Sequence, residues 1–271
     1  MDSEHKYIHG YNSKEQERLI YQNSFLSQFI YKRIDLSGIN ALLEVGCGVG
    51  AQMQYVFNQY SEINITGVDI SKAQIEQARI NLASQGIAAD KYELIVADVM
   101  EGLVLDNPCD GLMLVWVLEH VADPLSLLRN ATKNLKPHSN VFITEVFDSS
   151  FYIYPPCPKM QEFWENSKLL KTRISGDADV GVRLFDVLDN AGLKNIKVEP
   201  FIVHLDRSDL ALKNQMFDYW ESLLESGLTE LIENNLSSPS NWKEIQSEIA
   251  YLKSRSDSVF YYSFVQAFAH T

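Results

Sequence analysis

Short apolar runs alternate along this chain with longer amphipathic stretches, and that alternation sets the elements it predicts. Residues 40–45, 64–69, 92–98 and 111–116 read as strands. Gly111-Leu112-Met113-Leu114-Val115-Trp116 is apolar throughout, as a central parallel strand buried on both faces is. Between these runs lie three segments of helical spacing, about 50–60, 71–85 and 123–135. Ser71-Lys72-Ala73-Gln74 has capping-box spacing and Gly86 stops its helix. Asp123-Pro124 supplies an N-cap with proline at the first helical position, and Lys136-Pro137 ends that helix. Asn140 to Val146 reads as a fifth strand. Strands and helices repeating at this pace predict an open α/β sheet.

The two ends depart from the rhythm. Over residues 13–33, Leu19, Ile20, Tyr21, Phe25, Leu26, Phe29 and Ile30 recur at helical period behind a Ser13-Lys14-Glu15-Gln16 capping box. Tyr7, His9, Gly10 and Tyr11 precede it as a flexible aromatic segment. This helix either packs on the sheet edge or folds its start over a ligand, with Tyr11, Arg18 or Gln22 reaching in. Beyond Val146, Tyr152 to Pro158 reads as a proline-aromatic loop. Helices follow over 159–171 and 180–191, the second stopped by Gly192, and then a strand over 196–204. Residues 208–256 read as helices interrupted near Ser237-Ser238-Pro239-Ser240, and 258–268 as a last strand.

Composition narrows the partners. The net charge is −13 with a pI near 4.9, and no Lys/Arg run is visible, which disfavours nucleic acid. Met1 to His5 is polar and acidic, unlike a signal peptide, and no apolar run approaches the roughly 18 residues of a membrane span. Cys47, Cys109 and Cys157 are odd in number and far apart, so neither a disulfide framework nor a zinc site is expected. Taken together these predict a cytoplasmic protein.

Chemistry enters at Glu44-Val45-Gly46-Cys47-Gly48-Val49-Gly50, where the first strand runs into a glycine turn. Gly46, Gly48 and Ala51 satisfy G-x-G-x-x-[GA], the dinucleotide spacing, which alone is a weak signal. Three acids at the carboxyl ends of successive strands shift the reading. Glu44 would oppose a pyrophosphate on the helix N-terminus and favours a cationic ligand. Asp69 is placed for the hydroxyls of a ribose, and Asp98 for an adenine amino group.

These segments together resemble the class I S-adenosylmethionine-dependent methyltransferases. Glu44 to Gly50 looks like their first motif, Gly67-Val68-Asp69-Ile70-Ser71 the second and Val96-Ala97-Asp98-Val99 the third. Trp116 to Pro124 is similar to the segment that ends their fourth strand, and Leu135-Lys136-Pro137 to the entry into the fifth. His138-Ser139 stands where the family's entry has two glycines. The resemblance covers about residues 38–150 and is similar to the UbiE-like and other small-molecule enzymes. It implies a Rossmann-like α/β fold, a seven-stranded, mostly parallel sheet with the last strand antiparallel. It also divides the chain into an N-terminal helical cap (1–37), a core (38–207) with a lid loop (147–175), a helical insertion (208–257) and a final core strand (258–271).

The resemblance further implies S-adenosyl-L-methionine as cofactor, held by Glu44, Gly46, Gly48, Asp69, Ile70, Asp98, Val99, Val115 and Trp116, and the reading of the helix starts adds Tyr11, Arg18 and Gln74 as candidate contacts to it. Glu44 would meet the methionine end directly or through water. His120, after the fourth strand, and Glu145, at the end of the fifth, are the candidate catalytic groups; Glu119 reads either as a salt-bridge or cap residue or as pocket wall, and His9 and His204 are weaker candidates. Cys47 reads as an apolar filler. Tyr154-Pro155-Pro156 reverses the [DN]-P-P-[FY] of amino-methyltransferases and reads as a loop breaker, and no metal is expected. Phe147, Phe151, Tyr152, Tyr154, Phe163 and Trp164 suggest a flat or apolar small-molecule acceptor, methylated on O, N or C, or else belong to the lid core. A protein or peptide methyltransferase and a non-catalytic cofactor-binding module stay open, as does a homodimer through the insertion.

Overall fold

The computed structural model describes residues 8–271, so Tyr7 and the Met1–His5 segment lie outside the described residues. Seven strands form one sheet: β1 (Ala41–Val45), β2 (Asn64–Asp69), β3 (Tyr92–Val96), β4 (Cys109–Val115), β5 (Leu135–Tyr154), β6 (Lys194–Leu205) and β7 (Val259–His270). Their order is β3-β2-β1-β4-β5-β7-β6. β7 runs antiparallel between β5 and β6, and the pairings among β1 to β5 are parallel. The open α/β sheet agrees with the sequence pattern, and its Rossmann-like order with one antiparallel strand agrees with what the resemblance implies.

Alternation along β1 sends Leu42 and Glu44 to one face and Leu43 and Val45 to the other. On the first face Leu42, Met113 and Phe142 pack with residues of α1 (Ser13–Ile30), α2 (Ala51–Gln59) and α3 (Lys72–Ser84). On the second, Leu43, Leu112 and Ile143 pack with α4 (Pro124–Thr132) and α6 (Leu184–Asn190). The cap of α1 is Asn12, whose side chain accepts from Glu15 N, and not the expected Ser13. The expected caps Ser71 and Asp123 do accept from Gln74 N and Ser126 N.

One strand overruns its prediction. β4 ends at Val115 opposite Thr144, but β5 continues to Tyr154. Tyr152, Ile153 and Tyr154 pair with Tyr261, Phe260 and Val259 of β7, so they are strand and not loop. Pairing with a long partner outweighs the nearby prolines. The β5–β7–β6 part of the sheet thus stands beyond the carboxyl ends of β1 and β4. Around that projection pack α5 (Pro158–Arg173), α7 (Leu210–Ser226), α8 (Leu228–Glu233) and α9 (Pro239–Ser254), through Phe163, Trp164, Phe217, Trp220, Trp242 and Phe260. A fully buried Lys213 fixes the end of α9, its Nζ donating to Arg255 O and Ser258 Oγ, both at 2.8 Å. Among the described residues no helix is long and apolar enough to cross a membrane.

Candidate functional site

The turn after β1 is held by the neighbouring strand. Gly46 N and Cys47 N both donate to Val68 O, at 2.8 and 3.1 Å. Gly46 has φ +72°, and a Cβ there would lie 2.5 Å from Val117 Cγ2, so only glycine fits. Gly48, also left-handed at φ +50°, has open space where its Cβ would stand. Its N–H donates to Asp69 Oδ2 at 2.9 Å, while Ser71 N donates to Asp69 Oδ1 at 2.8 Å. Asp69 therefore ties the turn to the start of α3 and keeps a free lone pair on each oxygen. Burial raises its carboxyl above the usual range, and the two backbone donors act against that.

A cavity of about 260 Å³ opens on this turn. Gly46, Gly48, Asp69, Ile70, Gln74, Asp98, Val99, Val115 and Trp116 all line it. So do Tyr11 and Arg18, which bring the start of α1 over the opening. Burial, with the nearby Asp69, pushes the Tyr11 hydroxyl up to about 12. Arg18 makes a two-pronged pair with Glu15, Nε and Nη2 each donating at 2.7 Å, and its Nη1 donates to Gln22 Oε1 at 2.6 Å. Tyr219 on α7 donates to that same oxygen at 3.0 Å. The cap and the insertion thereby meet at the cavity wall.

Two predicted residues are elsewhere. Glu44 is 2% exposed and lies behind the turn, off the cavity wall. Its Oε2 has no hydrogen-bond partner among the described residues, and burial, with Asp69 adding, pushes its carboxyl well up. Such a group fits the indirect contact with a cation better than the direct one. Glu145 is fully buried and also off the wall, because its strand position points it beneath the 3-10 turn Leu118–His120. Its Oε1 accepts from Val117 N at 2.9 Å and Leu118 N at 2.6 Å. It holds the loop that carries His120 and does not reach the cavity, which corrects its placement as a catalytic group. His120 does line the cavity, with Nε2 3.7 Å from Glu119 Oε1.

The far end of the cavity holds a cluster of which sequence reading named Glu119 and Trp164 but missed Asp148, Lys171 and Tyr262. Lys171 of α5 donates to Glu119 Oε2 at 2.5 Å and to Asp148 Oδ2 at 2.7 Å. The Tyr262 hydroxyl of β7 donates to Asp148 Oδ1 at 2.6 Å, and Trp164 Nε1 to Asp148 O at 2.8 Å. All five residues line the cavity together with Trp220 and Phe264. Burial works to lower the Lys171 ammonium, but Asp148 and Glu119 outweigh it and hold it high. Burial raises Asp148, with Lys171 opposing and Glu119 adding. Burial would raise Glu119 too, yet Lys171 and His120 bring it below its ordinary range. One sequence signal existed: Asp148 is an acid placed directly after Val146-Phe147 in an apolar strand.

Residues 43–143 match the family described as a methyltransferase domain. Over 124 residues the chain is 30% identical to ubiquinone biosynthesis O-methyltransferase from Pseudomonas aeruginosa, covering 46% of this chain and 51% of that protein. The chain thus spans about half the length of the curated relatives it matches. Among solved structures it is similar to Haemonchus contortus phosphoethanolamine N-methyltransferase 2 in complex with S-adenosyl-L-methionine, at TM-score 0.58 and 15% identity, covering 95% of this chain and 57% of that one. It is also similar to the 4+2 cyclase SpnF, at TM-score 0.57 and 18% identity, covering 91% and 80%. The structural likenesses carry the fold; the family match and the glycine turn with its acids in register carry the rest. Residues 43–143 thus carry the methyltransferase-domain match, and the glycine turn and acids within them are similar to those of the class I S-adenosylmethionine-dependent family.

Proposed function

We propose that the protein transfers the methyl group of S-adenosyl-L-methionine to a small acceptor held beneath the helical insertion. The observation that carries this reading is the single cavity that runs from the glycine turn to the buried aromatic and charged end. One end has the groups an adenosine with a cationic tail needs, and the other has room and walls for a second molecule. Asp69 takes the ribose hydroxyls, Asp98 and Val99 the adenine edge, and Ile70 a face of the ring. Gly46, Gly48 and the backbone at Val115 and Trp116 surround the methionine portion, with Glu44 behind them. Bound there, the cofactor supplies a sulfonium methyl that is already activated.

What the chain itself must do is align and dry the acceptor. Tyr11 and Arg18 on the cap, and Trp220 and Leu224 on α7, enclose the space from above. Holding two reactants in line contributes roughly 7–11 kcal/mol of barrier lowering. Walls drawn from buried side chains suit a small flat molecule better than a peptide segment. That several relatives are named O-methyltransferases supports oxygen as the acceptor atom.

Calorimetry with S-adenosylhomocysteine tests the donor half of this reading, with saturable one-to-one binding expected. S-adenosylhomocysteine release from S-adenosylmethionine in the presence of hydroxylated aromatic compounds tests the transfer half. A protein that binds NADH and not S-adenosylhomocysteine would not be the enzyme proposed.

A further inference from the structure

The far end of the cavity has more hydrogen-bonding capacity than the protein uses. Lys171 has three N–H donors; two go to Glu119 and Asp148, and the third has no acceptor among the described residues. Trp116 and Trp220 both line the cavity, and the buried Nε1 of each has no partner among the described residues. On the accepting side, each Asp148 oxygen takes one bond and a carboxylate oxygen offers about two sites. Unmet buried donors beside a carboxylate with spare lone pairs call for a ligand group that accepts and donates at once.

Charge selects among such groups. Two carboxylates, Glu119 and Asp148, face one ammonium, Lys171, so a ligand carboxylate would meet net negative charge. A protonated amine could only donate, leaving the Lys171 and indole N–H groups unmet. A neutral hydroxyl does both. The walls are aromatic: Trp164, Trp220, Tyr262 and Phe264 pack on one another, with centroids 4.7, 5.5 and 4.8 Å apart in turn, and together they line the cavity with ring surface that suits an aromatic ligand.

We propose that the acceptor is a neutral hydroxylated aromatic compound and that Asp148, clamped between Lys171 and Tyr262, is the catalytic residue that takes its proton. This rests on the methyl-transfer reading above. The acceptor O–H breaks and its proton passes to the Asp148 carboxylate. The oxygen's electron pair forms the new O–CH3 bond as the C–S bond of S-adenosylmethionine breaks, releasing S-adenosylhomocysteine and the methyl ether. Lys171 offsets the negative charge while it is on the oxygen. Burial, which favours the protonated Asp148, suits it to that role, whereas Glu119 is held ionised. The groups facing Asp148 are Lys171 on α5, Tyr262 on β7 and Glu119 with His120 after β4, with Arg18, Tyr219 and His9 beyond them.

The test uses 2-naphthol, 2-naphthoate and 2-(aminomethyl)naphthalene, which share one flat ring and differ in charge. Each is titrated into the protein saturated with S-adenosylhomocysteine, followed by tryptophan fluorescence. Naphthol should bind at least tenfold more tightly than either ion; equal affinities, tighter binding of an ion, or no naphthol binding overturns the acceptor class. Methylation of 2-naphthol is then followed against pH. Asp148→Asn should keep naphthol and S-adenosylhomocysteine affinity within about threefold and lose about 100-fold in rate near neutral pH. Its rate should climb about tenfold per pH unit as naphthol ionises in solution, a slope the unaltered protein lacks. Parallel pH profiles, or an unaltered protein that binds naphthol and never methylates it, overturn the assignment of Asp148. Failure of S-adenosylhomocysteine to bind at all is read separately and sinks the donor reading instead.

Discussion

The two ends of the cavity are built by different means. At the glycine turn, the working groups are backbone conformations and acids at the ends of adjacent strands: Gly46 and Gly48 after β1, Asp69 ending β2 and Asp98 just after β3. Each lies within a few residues of a strand end, and parallel pairing of β1, β2 and β3 brings them to one edge without further help. At the far end, Glu119, Asp148, Lys171 and Tyr262 come from four elements spread over more than half the chain. Nothing local holds them together; only the packing of α5 and α7 on the projecting β5–β7 ribbon does. The glycine-turn end is therefore a property of the sheet, and the far end a property of the helices packed on it. Changes at the first should alter ligand affinity while the fold survives. Changes at the second should alter the fold's stability while the donor still binds.

The sharpest break of this contrast is Lys171→Met. It leaves Glu119 and Asp148 buried with no counter-charge, and loss of one partner from a buried ion cluster costs about 3–5 kcal/mol. Against a typical total of about 5–15 kcal/mol, that is a large drop in denaturant midpoint. The sign with pH is fixed. Without Lys171 both carboxyls have folded-state pKa values above their unfolded ones, so stability is present at low pH and lost as pH rises. The variant should recover toward the unaltered protein as pH falls to 5, and its affinity for S-adenosylhomocysteine should stay within about threefold. A collapse of cofactor binding with an unchanged denaturant midpoint would show that the two ends are not separable.

Asp69→Ala is the converse, with a smaller effect expected. It removes a half-buried carboxylate that accepts from Gly48 N and Ser71 N and faces the cavity. Hydrogen bonds to a charged group are worth about 1.5–3 kcal/mol, so S-adenosylhomocysteine affinity measured by calorimetry should fall about 10- to 100-fold. The thermal midpoint should move less than it does for Lys171→Met. If affinity is unchanged while stability falls, Asp69 serves the turn and not the ligand.

The same contrast explains what could be read from the sequence. Gly46, Gly48, Asp69 and Asp98 were legible because short-range spacing and strand periodicity decide where they point. Val115 and Trp116 follow from β4 by register alone. Glu44 and Glu145 were legible as strand residues but not as to side. Alternation turns Glu44 toward α1 and Glu145 toward the Leu118–His120 turn, and an apolar run with one acid does not say which face meets a ligand. Tyr152 to Tyr154 read as loop from their prolines, yet β7 pairs with them. Lys171 had no signal at all: in Leu169-Leu170-Lys171 it looks like an ordinary basic residue in the last turn of a helix. Its role is set by contacts 23 and 52 residues away in sequence.

The smallest expected effect belongs to Glu145, and it separates holding a loop from reacting. Glu145→Gln keeps the oxygen that accepts from Val117 N and Leu118 N and replaces the unpartnered Oε2 with an amide of the same shape. Burial first, with Glu119 adding, raises the Glu145 carboxyl to about 8. A carboxyl raised in the folded state contributes stability that is complete below its unfolded pKa and disappears as pH climbs toward the folded value. The unaltered protein should therefore lose thermal stability between about pH 5 and pH 9, and Glu145→Gln should remove part of that slope, the remainder coming from Glu44, Asp69 and Asp148, which are raised as well. Near pH 6 the two proteins should melt within a few degrees of each other; at pH 9 the variant should melt higher. Methyl transfer at neutral pH should stay within about threefold. A loss of 100-fold in rate with an unchanged melting profile would mean that Glu145 takes part in proton transfer, through the turn it holds, and that the division between the cavity wall and the layer beneath it is drawn in the wrong place.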